Sequence, residues 1–146
     1  MRARSDAGLH MMRFESGDEI CEALAHYCHD NGISTASVQG IGAVCEATLG
    51  YYSPATNQYI KRDFAGDMEV VSLAGNVSML NGVPFAHLHA VLAGRIDGAP
   101  ESDFMSYGGH LFRGIVSPTL EVFITKFNHT VARKPEQGSG LNLLDL

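Results

Sequence analysis

Three of the seven histidines stand in two short motifs that are suited to binding one metal ion. His87 and His89 lie in residues 84–93, where small and apolar residues alternate with them. Successive side chains of a β-strand point to opposite faces, so the two imidazoles share one face. His110 follows two glycines, which let the backbone approach closely and turn at no steric cost, and it is the natural third ligand.

A set of three histidines with one open coordination position is typical of a catalytic zinc site rather than a closed structural one. Neutral imidazole also suits nickel, copper and iron. The sequence therefore predicts one divalent transition metal per chain, with zinc as the first choice. In the competing interpretation, the two strand histidines line a polar pocket or a subunit interface and bind no metal.

A metal-dependent enzyme would also need a group that moves a proton. Zinc held by three histidines lowers the pKa of a bound water to about 7 and can polarise a carbonyl group. The candidates by position are Asp97, Glu101, Asp103, Tyr107 and Glu121. Nothing in the sequence selects among them, and each carboxylate can equally be a solvated surface charge.

Antiparallel strands are expected to position these histidines, together with one long helix. Asn81-Gly82 is a strong signal for a type I′ turn, which would pair the preceding strand with the strand of His87 and His89. Residues 16–19 have the pattern of a capping box, and a helix is predicted from there to about Asn31-Gly32. The pattern predicts an α+β domain rather than βαβ repeats.

The remaining turn signals and polar segments predict breaks between strands, a loose N-terminal arm and a surface loop. Gly66-Asp67 and Ser117-Pro118 are interpreted as breaks between strands. Residues 1–146 are predicted to form one domain, with residues 1–8 as a loose arm and residues 128–140 as a surface loop. Residues 141–146 are too apolar for a free tail, so they are expected to dock.

Composition narrows the class of protein. A chain of 146 residues suits one domain, and its hydrophobic content of 45% predicts surface buried between subunits. The net charge of −6 and the scattered basic residues disfavour direct binding to nucleic acid. Three cysteines without CxxC spacing disfavour a disulfide framework and fit a reducing cytoplasm. No window reaches membrane-spanning length, so a soluble cytoplasmic protein is expected.

Several motifs in combination resemble the plant-and-prokaryote-conserved (PPC) domain family, in its stand-alone prokaryotic form. Each motif is weak alone, but the combination is specific and extends over about residues 9–146. The matching segments are Gly40-Ile41-Gly42-Ala43, Thr48-Leu49-Gly50-Tyr51-Tyr52, Val71-Ser72-Leu73-Ala74-Gly75-Asn76, the His87-x-His89 strand, Gly108-Gly109-His110-Leu111, Glu121-Val122-Phe123-Ile124 and Ser139-Gly140-Leu141-Asn142-Leu143-Leu144-Asp145.

The resemblance implies an α+β fold: a central, mostly antiparallel and barrel-like sheet flanked by one long and some short helices. It also implies a homotrimer and a metal near His87, His89 and His110. Plant members carry AT-hook segments that grip the DNA minor groove, and prokaryotic members are called candidate DNA-binding proteins by association. This sequence has no Arg-Gly-Arg-Pro hook. Between His89 and Gly108, where the family has a short turn, this sequence has extra residues around 99–107. These residues either alter the placement of His110 or add a lid.

Three classes of function follow. The first is a metal-binding interaction or regulatory module, whose partner is a copy of itself, another protein or a small molecule at the metal. The second is a metal-dependent enzyme acting on a small substrate, and the third is DNA binding through a face of the domain. A cupin would also carry His-x-His on a strand, but it needs a glutamate a few residues later, where this chain has Ala90-Val91-Leu92-Ala93.

Overall fold

The computed structural model describes residues 1–95, 100 and 104–146, which contain eight strands and one helix. The predicted proton-transfer candidates Asp97, Glu101 and Asp103 lie outside the described residues. Within the described part of the chain, no helix has the length and apolar character needed to cross a membrane. The elements in chain order are β1 (Arg2–Asp6), β2 (Leu9–Glu15), α1 (Ile20–Asp30), β3 (Ala36–Ser53), β4 (Gln58–Leu80), β5 (Val83–Gly94), β6 (Met105–Lys126), β7 (Arg133–Pro135) and β8 (Asn142–Leu144).

The predicted α+β class is wrong, because the protein is mostly β. Strands make up 68% of the chain and helix 8%. The predicted long helix is the 11-residue α1, and the described residues contain no second helix. Gly17 has a φ of +91°, which excludes it from the helix, and Glu19 is the extended N-cap, so α1 begins only at Ile20. The homotrimer implied by the resemblance is not shown by this single chain.

A barrel formed by four long strands is the centre of the fold. The strand order in the main sheet is β1-β2-β6-β3-β4-β5, and β5 also pairs with β6, so that β3, β4, β5 and β6 close on themselves. Every pairing in this sheet is antiparallel. The β5–β6 pairing that closes the barrel is also the one that places His89 directly opposite His110.

Burial alternates along β5 as the sequence pattern requires. Leu88, Ala90 and Leu92 are buried in the core, and the two histidines lie on the opposite face. Helix α1 covers the core with one stripe of its surface: Ile20, Leu24 and Cys28. Burial raises the pKa of the Cys28 thiol to about 12, so this cysteine is an inert core residue.

Both ends of the chain contain strands. Residues Arg2–Asp6, within the predicted loose arm, form β1 at the edge of the main sheet. Residues Asn142–Leu144, within the predicted docking tail, form β8, which pairs with β7 in a separate two-stranded ribbon. The amide of Met79 in β4 donates to the carbonyl of Val131, which holds this ribbon against the barrel.

Only one of the two glycines before His110 allows a close backbone approach. A Cβ added at Gly109 would lie 2.7 Å from the carbonyl oxygen of Gly50 in β3. At Gly108 the nearest atom, in the side chain of Val91, would be at an ordinary 3.4 Å. Gly109 therefore lets β6 lie against β3 immediately before His110, within a continuous strand and without the predicted turn.

We expect Gly109→Ala to lower the free energy of unfolding by about 1–3 kcal/mol, because the new methyl group meets backbone that cannot move independently. Gly108→Ala is the matched control in the same strand, and we expect it to change stability by less than about 0.5 kcal/mol or to increase it slightly. Urea unfolding of the two variants measures the difference. Equal effects would mean that the approach of β3 to β6 is not what requires glycine.

Candidate metal centre

The structure brings together the three histidines that the sequence singled out. His87 and His89 project from one face of β5, and His110 projects from β6 opposite His89. The ring centroids are 5.3 Å apart for His87 and His89, 5.0 Å for His87 and His110, and 5.4 Å for His89 and His110. One nitrogen from each ring lies within 4.8 Å of the other two.

This donor set fits a first-row transition metal. Zinc binds imidazole nitrogen at about 2.0–2.1 Å, which places two ligand nitrogens of a tetrahedral site roughly 3.4 Å apart. The ligand atoms of the three histidines lie within 4.8 Å of one another, so a bound ion would draw them closer together. The Nδ1 atom of His110 is buried and has no hydrogen-bond partner among the described residues. Such an atom is costly to leave unpaired, and a bound cation would pair it.

The surroundings of His87 and His110 favour the neutral form of these two imidazoles, which metals require. Burial, and then the charges of the neighbouring histidines, Lys61 and Arg133, lower the pKa of His110 to about 4. Burial also lowers the pKa of His87, followed in effect by Arg133 and His89. Near neutral pH these two imidazoles are therefore uncharged, with one nitrogen lone pair each, and do not repel a cation as charged groups would.

Two aromatic rings and a lysine surround His110. The Phe112 ring is 4.4 Å from the His110 ring, and the Tyr59 ring is 5.1 Å from it, measured between centroids. The Lys61 ammonium lies 3.8 Å from the centroid of Phe112. Strand register explains the cluster, because Gly50 of β3 pairs with Lys61 on one side and with His110 on the other. Sequence reasoning missed these three residues, although Phe112 has the period-two spacing from His110 that could have indicated it.

Arg133 in β7 connects the two-stranded ribbon of β7 and β8, here called the terminal ribbon, to the histidine site through hydrogen bonds. Its Nε donates to Ser78 Oγ at 2.7 Å, and its Nη1 donates to the carbonyl of Asn142 at 2.8 Å. Its Nη2 donates to Asn76 Oδ1 at 2.7 Å and to His87 Nδ1 at 3.2 Å. The side chain is buried although the sequence placed it in a surface loop. The signal that could have indicated a buried polar partner is the pair Asn76 and Ser78. These polar residues are two apart on β4, the strand that pairs with the strand of His87.

The two described candidates for proton transfer lie away from the imidazoles. The Tyr107 ring packs 4.8 Å from the ring of Phe64, and its hydroxyl contacts Met105 Sδ at 3.2 Å. Glu121 lines a surface cavity of about 460 Å³ together with arginines of β1 and β2. The charged groups that influence the pKa of His110 are two cations, Lys61 and Arg133, besides the other histidines. The described part of the site thus offers imidazole ligands and positive charge.

Comparison with known proteins gives the family. The family model of the Plants and Prokaryotes Conserved (PCC) domain matches residues 1–128, so the chain belongs to this family, as its sequence predicted. No curated protein matches the chain by sequence.

Solved structures share the fold over nearly the whole chain. A candidate DNA-binding protein from Bacteroides thetaiotaomicron is 30% identical, with a TM-score of 0.88, covering 99% of this chain and 96% of that one. A metal-containing protein from Archaeoglobus fulgidus is 32% identical, with a TM-score of 0.84, covering 94% and 93%. A plant- and prokaryote-conserved (PPC) protein from Pyrococcus horikoshii is 28% identical, with a TM-score of 0.82, covering 99% and 94%.

The metal-free protein should lose stability as the pH falls from about 6.5 to about 4. His110 has its ordinary pKa of 6.5 when unfolded and about 4 when folded, so in this window the unfolded chain binds more protons. We expect the imidazole to contribute a loss of about 2 kcal/mol, after allowance for its partial exposure to solvent. Urea unfolding of chelator-treated protein at several pH values measures it.

The matched variant for this pH dependence is His110→Gln, which removes the titrating group. We expect its stability to fall less steeply than that of the wild type over the same pH range, although carboxylates titrate in both proteins. Parallel curves for the two proteins would show that the burial of His110 does not carry the dependence.

Proposed function

We propose that this protein is a metal-binding interaction or regulatory module that holds one divalent transition metal, zinc first, through His87, His89 and His110. The convergence of three imidazoles, with one ligand nitrogen from each within 4.8 Å of the other two, carries the proposal. The Nδ1 atom of His110, which has no hydrogen-bond partner among the described residues, and the lowered pKa values of the half-buried His110 and His87 support it. The metal-containing protein from Archaeoglobus fulgidus, which is 32% identical, supports it independently.

Three histidines leave at least one coordination position open for a small molecule or for a side chain of a protein partner. When bound, the metal would act there as a Lewis acid. A metal-dependent enzyme is less favoured, because within the described residues Tyr107 and Glu121 point away from the imidazoles. A hydrolytic enzyme would need a general base within hydrogen-bond reach of the metal-bound water.

DNA binding is the weakest of the three functions for this chain, although the relative from Bacteroides thetaiotaomicron is called a candidate DNA-binding protein. The net charge of −6 opposes long-range attraction to a phosphate backbone. Two arginines of the β1–β2 edge, Arg2 and Arg13, are already paired with the Glu15 carboxylate, at 2.9 and 3.4 Å.

Metal analysis of the purified protein tests the proposal. We expect about one first-row metal ion per chain after loading with Zn²⁺ and desalting, since the three ligands converge on one site. The double variant His87→Ala/His89→Ala should retain close to none, because it keeps a single ligand. His29→Ala, which removes an exposed histidine at the end of α1, is the matched control and should retain the full amount. Equal metal content in the two variants would refute the site.

A further inference from the structure

We propose that the open position of the metal takes a small oxyanion, a carboxylate or a phosphate, which Arg133 and Lys61 bind together with the metal. This inference rests on the proposed function and goes beyond it by naming the class of ligand. It follows from the charges around the imidazoles and from the hydrogen bond between Arg133 and His87.

Among the described residues, the two cations beside the site have no carboxylate counter-ion. All four hydrogen bonds of Arg133 go to neutral acceptors, in Ser78, Asn142, Asn76 and His87. Within the described part of the chain, neither Arg133 nor Lys61 forms an ion pair with a carboxylate. A buried charge is normally paired, and the Arg133 side chain is only 9% exposed.

Metal binding would increase the excess of positive charge at the site. Three neutral imidazoles contribute no charge, so a divalent ion adds two positive charges to those of Arg133 and Lys61. Both cations are near enough to lower the pKa of His110. A ligand bearing one or two negative charges would offset the excess, whereas a neutral ligand would not.

The hydrogen bond from Arg133 to His87 provides a second, independent argument. A guanidinium only donates, so His87 Nδ1 must accept with its lone pair at 3.2 Å. A neutral imidazole has a single ring nitrogen with a free lone pair, and a metal ligand uses that lone pair. Once His87 binds the metal, its other nitrogen carries a hydrogen and cannot accept a bond from Arg133. One Nη2 donor of Arg133 then lacks an acceptor beside the metal.

An oxyanion on the metal would restore that bond. One oxygen can coordinate the ion while another accepts the freed donor of Arg133, the charge-assisted arrangement for which guanidinium is suited. Lys61 is exposed and lies on the Phe112 ring, next to His110, so its ammonium can approach the anion from the solvent side. A neutral amide or alcohol could accept a hydrogen bond but would offset the charge of neither cation.

The test uses the full-length protein loaded with Co²⁺, whose visible absorption reports changes in coordination. Acetate, inorganic phosphate and the neutral acetamide are titrated separately at constant ionic strength. We expect acetate or phosphate to change the spectrum in a saturable way and acetamide to leave it unchanged at the same concentration. The comparison of acetate with phosphate shows which oxyanion the site prefers.

Charge variants assign the effect to the two cations. We expect Arg133→Gln to weaken anion binding about tenfold or more, since it removes a charge-assisted hydrogen bond, and Lys61→Gln to weaken it a few-fold. Lys134→Gln removes the same charge one residue from Arg133. Its ammonium is already paired with Asp145 at 2.7 Å, so we expect no change. Lys61→Gln alters an exposed side chain, so it remains informative if Arg133→Gln fails to fold.

The outcomes separate this inference from the proposed function. A Co²⁺ spectrum of a three-histidine site that neither acetate nor phosphate alters would overturn the oxyanion and leave the metal site standing. The same holds if acetamide binds as well as acetate, or if Lys61→Gln and Lys134→Gln behave alike. Failure of the wild type to bind Co²⁺ or Zn²⁺ would overturn both proposals together.

Discussion

Saturation with Zn²⁺ should raise the free energy of unfolding by about 4 kcal/mol when free Zn²⁺ exceeds its dissociation constant by about 1,000-fold. The reason is that the three proposed ligands come from two strands, β5 and β6, and meet only when the barrel is closed. The unfolded chain separates His89 from His110 and loses the site. For a protein of this size the effect corresponds to a rise in the midpoint of thermal unfolding of roughly 10 °C.

Thermal and urea unfolding with Zn²⁺ and with a chelator measure this linkage. His110→Ala leaves both histidines of β5 but breaks the connection between the strands, so we expect most of the stabilisation to disappear. His29→Ala retains the three ligands and should be stabilised as much as the wild type, since His29 lies exposed on α1. Stabilisation by Zn²⁺ that survives in His110→Ala would place the metal elsewhere.

The shared face of His87 and His89 was predictable because it depends on local rules. Alternation along a strand puts His87 and His89 on one face whatever the tertiary structure. The Asn81-Gly82 turn was equally predictable: both residues have positive φ, +52° and +82°, and they join β4 to β5 with Leu80 opposite Val83. The helix end at Asn31 and Gly32 is another local signal that the structure confirms.

The fold class was missed because sequence signals that are typical of turns lie inside long, continuous strands. Gly66-Asp67 falls within the 23-residue β4, and Ser117-Pro118 falls within the 22-residue β6. Each was interpreted as a break, which shortened the strands and gave the helix too much weight. Strands this long accommodate such residues because the pairing shifts register there: between Val44 and Glu46 of β3 opposite Gly66-Asp67, and between Gly42 and Val44 opposite Ser117-Pro118. A single sequence does not distinguish such an irregularity from a turn.

The surroundings of the site were missed for a different reason. Arg133 is 46 residues from His87 in sequence, and its neighbourhood has the polar, glycine-bearing composition of a loop. The apolar residues 141–146 indicate a docked tail, but nothing local indicates that β7 and β8 pair beside the barrel. Lys61 and Tyr59 likewise reach His110 only through the pairing of β3 with both β4 and β6. The histidines that form the cluster could thus be predicted, whereas the residues that set their charge environment required the structure.

Arg133→Gln should lower the free energy of unfolding of the metal-free protein by roughly 3 kcal/mol, a magnitude typical of breaking a buried network around a charge. The shorter amide cannot reach Ser78, Asn76 and the Asn142 carbonyl at once, so buried polar groups lose partners. We expect the terminal ribbon to open first. Hydrogen exchange should become faster at the amide of Asp145, which donates to Ala132 at 2.9 Å.

Lys134→Gln is the matched control, because it removes a positive charge from the same strand without disturbing a buried network. Its ion pair with Asp145 is exposed, so we expect a change of about 0.5 kcal/mol or less. If the two variants were equally stable and exchanged at the same rate at Asp145, the bonds of Arg133 would be dispensable for the ribbon. A large difference would show that one buried guanidinium joins the end of the chain to the histidine site, which couples the ribbon to whatever that site binds.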